Sequence, residues 1–172
     1  MSLEDAAGSI AERLLAEEYV EVFAHHDADG IAAASILCEA MLRAGRRFRL
    51  RMSAEIAPPD IPQGVPALLC DLGSARGDLP DGVMVVDHHV PHFEGRLHLN
   101  PRLEGIDGDR ELSSAGAAYL VADRMGDNRD LIGLVLLGIL GDGQELAGMN
   151  RELVNEGIAT GSIAPSRGLT LP

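Results

Sequence analysis

The chain has 172 residues, a formal net charge of −13, 46% apolar residues and 3% aromatic residues. That length fits one domain able to bury a core, and the acidic balance argues against tight non-specific binding to nucleic acid. Scarce aromatics argue against a stacking platform for single-stranded bases, and with 14 basic residues, all Arg, a basic surface for a nucleic-acid substrate must come from a local patch, another domain or a partner.

Residues 3–16 show amphipathic spacing, with Ile10, Leu14 and Leu15 on one face of an expected helix. A buried strand is expected over Tyr19–Ala24, running into His25-His26-Asp27-Ala28-Asp29-Gly30. Gly30 is expected to permit a sharp turn into a helix over Ile31–Arg43, closed by Gly45. Phe48–Met52 alternates Arg with apolar residues and predicts a half-exposed edge strand. Its arginines, with Arg46 and Arg47, read either as protection of an exposed edge or as a phosphate-contacting patch.

Prolines at 58, 59, 62 and 66 mark a loop before a short strand, Ala67–Cys70, that ends in Asp71. A further loop over 74–82 leads to the strand Val83–Val86, which delivers Asp87-His88-His89. Arg96–Leu99 predicts another strand, ending at Asn100-Pro101, and residues 104–110 a flexible crossing loop. A Ser N-cap in Ser113-Ser114-Ala115-Gly116 opens a helix to about Arg124. Asp127 or Asn128 is expected to cap the next helix, which runs through Ile139 and ends near Gly141-Asp142-Gly143, and a last helix spans Glu152–Ala159. Cys38 and Cys70 read as small core residues. The most apolar stretch, Leu131–Leu140, is far too short to span a membrane. The pattern predicts an α/β fold: an open, mainly parallel, five-stranded sheet flanked by helices.

Ligands of open α/β sheets sit at the carboxyl ends of the strands. Three strand ends would therefore gather His25, Asp27, Asp29, Asp71, Asp87, His88 and His89 at one edge. Crowded carboxylates repel, and a bound cation relieves that repulsion. In an extended loop the alternate residues His25, Asp27 and Asp29 project the same way. Asp71 has two carboxylate oxygens and could bridge two ions, while Asp87 could ligate or orient a histidine. Asp142 stands where a helix ends, unfavourable for an acid beside the negative end of a helix dipole, and such local conflicts mark functional positions. His26 and His92 read as peripheral, and His98 as strand surface. Carboxylates mixed with imidazoles suit Mn²⁺ or Mg²⁺, and a pair of such ions about 3.5–4 Å apart supports phosphoester hydrolysis without a Ser or Cys nucleophile.

Read together, His25-His26-Asp27-Ala28-Asp29-Gly30, Leu69-Cys70-Asp71-Leu72-Gly73, Asp87-His88-His89, Asn100-Pro101, Ser113-Ser114-Ala115-Gly116 and Gly141-Asp142 resemble the DHH phosphoesterase superfamily, in its RecJ-like branch. The resemblance implies a DHH domain over residues 1–160, with 161–172 a linker toward a second, DHH-associated domain. It also implies two Mn²⁺ (or Mg²⁺) ions. His25, Asp27 and Asp71 would hold one, and Asp29, Asp71, His88 and Asp142 the other. By the same resemblance His89 would contact the scissile phosphate and Asp87 would support it. Asn100, Ser113 and Ser114 become substrate-binding candidates, since a helix start can offer amides to a phosphate. Typical RecJ nucleases have Asp where this chain has His25, which implies an altered metal preference.

The implied function is a metal-dependent phosphodiesterase, foremost a single-strand-specific 5′ exonuclease acting on DNA or short RNA in nucleic-acid repair or turnover. Two alternatives stand beside it. One is a weakly catalytic or non-catalytic replication component associated with GINS and the helicase. The other is a small-substrate enzyme acting on pyrophosphate, cyclic dinucleotides or oligoribonucleotides. The start of the chain lacks the basic end and apolar core of a secretory signal, so a cytoplasmic, non-membrane setting is expected.

Overall fold

Side chains alternate across a strand, and in this chain the alternation sorts two unequal cores. In the computed structural model, which describes residues 2–166, five strands pair in the order β2-β1-β3-β4-β5, all parallel. They are β1 (Tyr19–His25), β2 (Arg47–Ser53), β3 (Ala67–Cys70), β4 (Met84–Val86) and β5 (His98–Leu99). The helices are α1 (Leu3–Ala16), α2 (Ala28–Arg43), α3 (Ser114–Met125), α4 (Ile132–Gly141) and α5 (Gly148–Thr160). Val20, Val22, Ala24, Leu68, Cys70, Met84, Val86 and Leu99 point into one large core with residues from all five helices. Phe23, Ala67, Leu69 and Val85 point the other way, onto Ile56, Ile61, Leu72 and partly buried loop residues. The expected helices thus line a single face of the sheet, and the loops after β2, β3 and β4 cover part of the other.

β2 is one of the two edge strands, half-exposed as its alternation predicts. Phe48 packs on the helical core, whereas Arg51 lies over the Phe23 ring and pairs with Glu21 at 3.2 Å on the opposite face. The chain leaves β1 through α2 to reach β2 on one side, while β3 lies on the other side of β1. That reversal makes the carboxyl ends of β1 and β3 a topological switch point, where a crevice opens.

Several boundaries differ from the sequence reading. The strand expected over Arg96–Leu99 shortens to its last two residues. The helix expected from Glu152 begins at Gly148. Neither Asp127 nor Asn128 caps α4: a 3₁₀ turn over Arg129–Leu131 intervenes, and the Asn128 amide instead donates to the Ala122 carbonyl at 2.8 Å. His98 is buried rather than on a strand surface, stacked on Phe93 with ring centroids 4.2 Å apart. The tail expected as a linker is described only as far as Ser166, and Arg167–Pro172 lie outside the described residues. Among the described residues no helix is long and apolar enough to cross a membrane.

Candidate metal centre

The loop between β1 and α2 turns sharply because its side chains satisfy the helix start. Asp27 is the N-cap of α2, and its Oδ1 accepts from the Gly30 amide at 2.9 Å. Its Oδ2 faces His25 Nδ1 at 2.6 Å. Gly30 is needed for a reason other than a turn: a Cβ there would overlap the His25 carbonyl and stand 2.7 Å from its Cβ. Asp29 is fully buried and sits on the first turn of α3, accepting from the Ser114 amide at 2.7 Å and the Ala115 amide at 2.9 Å. Two backbone donors at the positive end of a helix are a favourable seat for a carboxylate. Burial and the charge of Asp71 outweigh them and push the Asp29 carboxyl up to about 7.

Asp71 follows β3 in the left-handed region, with φ +59. It is the one non-glycine residue with positive φ among those described, and such strain concentrates at functional sites. Its Oδ1 accepts from the Ser114 hydroxyl at 2.8 Å, while its Oδ2 is buried without a hydrogen-bond partner. Burial, then the nearby charge of Asp87, raise its pKa above the usual carboxylate range. His25 Nδ1 lies 3.4 Å from that Oδ2, and His88 Nε2 lies 3.4 Å from Oδ1.

Donor bookkeeping fixes His88. Its Nδ1 is 2.6 Å from the Gly108 carbonyl, which can only accept, so Nδ1 carries the hydrogen. Nε2 then faces Asp71, Asp142 at 3.6 Å and Asp29 at 4.0 Å. Burial pulls this imidazole down, but the hydrogen-bond and charge effects of Asp71 prevail and lift it to about 9. His89 is half-exposed and holds Asp87 Oδ1 with its ring Nδ1 at 2.7 Å and its backbone amide at 3.1 Å. Against the penalty of burial, His89 and the Ser74 amide draw the Asp87 carboxyl down to about 2. The hydrogen bond that His89 donates to Asp87 in turn raises the His89 pKa.

Ligating atoms converge in three groups: His25, Asp27 and Asp71; Asp29, His88 and Asp142; and Asp71, His88 and His89. Asp71 and His88 are each shared between two groups, the arrangement a pair of neighbouring cations requires. The donor set is carboxylate oxygen and imidazole nitrogen, the buried Asp71 Oδ2 has no hydrogen-bond partner, and the buried acids Asp29 and Asp71 sit at raised pKa. All three observations fit divalent cations of the Mn²⁺ and Mg²⁺ kind. The six residues expected as ligands therefore lie together. Among the groups expected against a substrate, only His89 presents an exposed ring. Ser113 Oγ caps α3 through the Gly116 amide at 3.1 Å, and Ser114 spends its hydroxyl and amide on Asp71 and Asp29. Asn100 is buried, its Oδ1 accepting from the Arg102 amide at 2.9 Å. These three hold the site together from inside.

The sequence reading missed Gly108, Gln144 and Asn150. The 104–110 segment, read as a flexible crossing, contributes the carbonyl that orients His88, and a Cβ at Gly108 would overlap the His88 carbonyl. Gln144 is buried, and its Nε2 donates to the Gly108 carbonyl and to Asp142 Oδ2, both at 2.9 Å. Asn150 in turn donates to Gln144 Oε1 at 2.9 Å. Partners of this kind set the tautomer and aim of metal ligands. Two glycines of α4 let that helix approach: a Cβ at Gly138 would overlap Asp29 Oδ1 and stand 2.5 Å from the Ala115 Cβ, and one at Gly141 would overlap Ala28.

No protein-family model matches the chain. It is 30% identical over 177 residues to an uncharacterized protein of Methanocaldococcus jannaschii, covering 90% of this chain and 40% of that protein. Exonuclease RecJ bound to manganese superposes with TM-score 0.74 at 24% identity, over 92% of this chain and 48% of that one. RecJ of Thermus thermophilus in complex with Mn²⁺ gives TM-score 0.69 at 27% identity, over 91% of this chain and 26% of that one. The DHH domain of a member of a ribosomal protein family gives 0.71 at 19% identity, over 92% and 47%. The chain thus spans less than half the length of each of these proteins. With the fold, the all-parallel sheet order and the clustered Asp and His residues already in place, these likenesses decide the class: the chain is a DHH/RecJ-like domain.

Proposed function

We propose that this domain is a divalent-cation-dependent phosphodiesterase that removes nucleotides from the end of single-stranded DNA or short RNA. The observation that carries the reading is Asp71, a strained, buried carboxylate with an unpartnered Oδ2, shared between two groups of ligating atoms. RecJ structures at 24–27% identity contain Mn²⁺ or Mg²⁺, which supports the same cations here. In the proposed arrangement His25, Asp27 and Asp71 hold one ion, and Asp29, Asp71, His88 and Asp142 the other. When bound, such ions supply Lewis-acid charge that acidifies a water and offsets charge developing on the phosphate.

The chain's own residues do the rest. Asp87 keeps the His89 hydrogen at Nδ1, which leaves Nε2 outside that bond on a half-exposed ring. When that Nε2 carries a proton, the ring can donate to a non-bridging phosphate oxygen. Asp29 and Ser114 tie the β1–α2 loop to the start of α3, holding the ligands rigid.

The basic edge strand favours an oligonucleotide over a small phosphate ester. By alternation Arg47, Arg49 and Arg51 share a sheet face, and Ser53 on that face pairs in register with His25. Steps of two residues along a strand are about 6–7 Å, so the three positions are spaced along the face toward the centre; Arg47 and Arg51 pair with Glu18 and Glu21, which makes Arg49 the foremost candidate for a phosphate. The test is Mn²⁺-dependent hydrolysis by this chain of single-stranded DNA, short RNA and a dinucleotide in parallel, with Asp71→Ala as control. Turnover that vanishes in Asp71→Ala supports the proposal, and the preferred substrate selects between oligonucleotide and small-substrate action. Turnover that persists in Asp71→Ala overturns it.

A further inference from the structure

Behind His89 lies a buried polar chain that none of the three ligating groups includes. His98 stacks on Phe93, and its Nδ1 is 3.2 Å from the Phe93 carbonyl, so Nδ1 carries the hydrogen and Nε2 is an acceptor. The Ser74 hydroxyl is 2.7 Å from that Nε2 and donates to it. Its lone pair then accepts from Asn100 Nδ2 at 2.8 Å, and the second Nδ2 hydrogen goes to the His89 carbonyl at 2.8 Å. The Arg102 amide on Asn100 Oδ1 excludes the flipped amide. Separately, the Ser74 backbone amide donates to Asp87 Oδ2 at 2.8 Å, leaving Oδ1 for the His89 ring and amide. Ser74, Asp87, His98 and Asn100 are all buried, at 2% exposure or less.

Every donor in this chain has one acceptor, and both arms close on His89. Asn100 fixes its main chain, and Asp87, itself fixed by Ser74, fixes its ring. A half-exposed imidazole without such support would sample several rotamers and both tautomers. We propose that His98, Ser74 and Asn100 are positioning residues whose buried relay fixes the His89 main chain and so where its ring stands, with Nε2 presented to the substrate, while Asp87 sets the tautomer. The kinetic consequence rests on the phosphodiesterase reading above, while the structural consequence does not.

Two variants test it. Ser74→Ala removes the hydroxyl while keeping the backbone bond to Asp87, and His98→Phe keeps a stacked ring while removing the acceptor. ¹H–¹⁵N and ¹H–¹³C spectra of the His89 ring read its tautomer and its order directly. The expected result is one sharp set of ring resonances in the unaltered chain and displaced or broadened ones in both variants, with the Nδ1–H form that Asp87 imposes retained. On an oligonucleotide substrate, kcat should fall roughly tenfold or more, as for other losses of orienting partners. KM and the number of Mn²⁺ ions bound should hold. Unmoved, sharp His89 ring resonances and undiminished kcat in both variants, with only a lower melting temperature, would reduce the relay to a structural brace and overturn the proposal. If Ser74→Ala does not fold, His98→Phe decides alone. A chain that hydrolyses nothing would defeat the phosphodiesterase reading, and the spectra would still decide this one.

Discussion

Replacing Gly138 with Ala should destabilise the domain, although the same exchange at Gly133, also in α4, should stabilise it. An added Cβ at Gly138 overlaps Asp29 Oδ1 and meets the Ala115 Cβ at 2.5 Å, with Asp29 Cγ at 3.4 Å. Asp29 cannot swing away without releasing the Ser114 and Ala115 amides. Either α4 moves out or those charge-assisted bonds stretch. Overpacking of this kind costs about 1–3 kcal/mol, and a weakened bond to a charged group adds about 1.5–3 kcal/mol. The better helix propensity of Ala returns about 1 kcal/mol. The net loss is about 1.5–5 kcal/mol, and at roughly 2–4 °C per kcal/mol for a domain of this size Tm should fall by about 3–20 °C. Gly133, on the same helix, is the control: a Cβ there meets only the Ser162 carbonyl, at 3.6 Å. Gly133→Ala should raise Tm by about 2–4 °C. Thermal melts of the two variants without added metal measure both effects. Shifts of the same sign would refute the close packing of α4 against Asp29.

Gln144→Leu should cost about 1–3 kcal/mol, because it strips a buried donor from the Gly108 carbonyl and Asp142. The same change should weaken Mn²⁺ binding by about 10–100-fold, read by calorimetry, and unchanged affinity would count against an orienting role. The cation-free domain should lose stability as pH rises. Asp29, held at about 7, binds its proton in the folded state from roughly pH 4 to 7, while the unfolded chain has released it. His88, held at about 9, contributes stability that is complete below about pH 6.5 and is lost through 9. Mn²⁺ replaces those protons, so the Tm increase it brings should be larger at about pH 8 than at about pH 5.5. An increment independent of pH would contradict the coupling. Arg49→Glu should raise KM for a long single strand and flatten its salt dependence by about one unit or more of slope, with a dinucleotide unaffected. Equal effects on both substrates would remove the basic edge strand from substrate binding.

Most of the centre was legible because its residues sit at the ends of short apolar strands, where a parallel sheet leaves nowhere else for them to go. His25 ends β1, Asp27 caps α2 and Asp29 lies in its first turn, and Asp71 and Asp87 each follow a fully buried strand. Asp142 was visible as an acid at the wrong end of a helix. What escaped were groups whose partners come from distant sequence. Gly108 acts through a carbonyl that every residue possesses, and Gln144 and Asn150 look like ordinary surface amides until α5 folds back on the 105–111 segment. His98 was misread because β5 is two residues long, too short for alternation to show which face it occupies. Ser113 and Ser114 fit a phosphate-binding helix start in sequence, but the structure gives that seat to Asp29.

The most direct test of the metal centre is calorimetric titration of Mn²⁺ into this chain and into Asp71→Ala. The unaltered chain should bind two ions. Asp71→Ala, which removes the carboxylate common to both sites, should lose tight binding of both. Two ions bound equally well without Asp71, or none bound with it, would contradict the account.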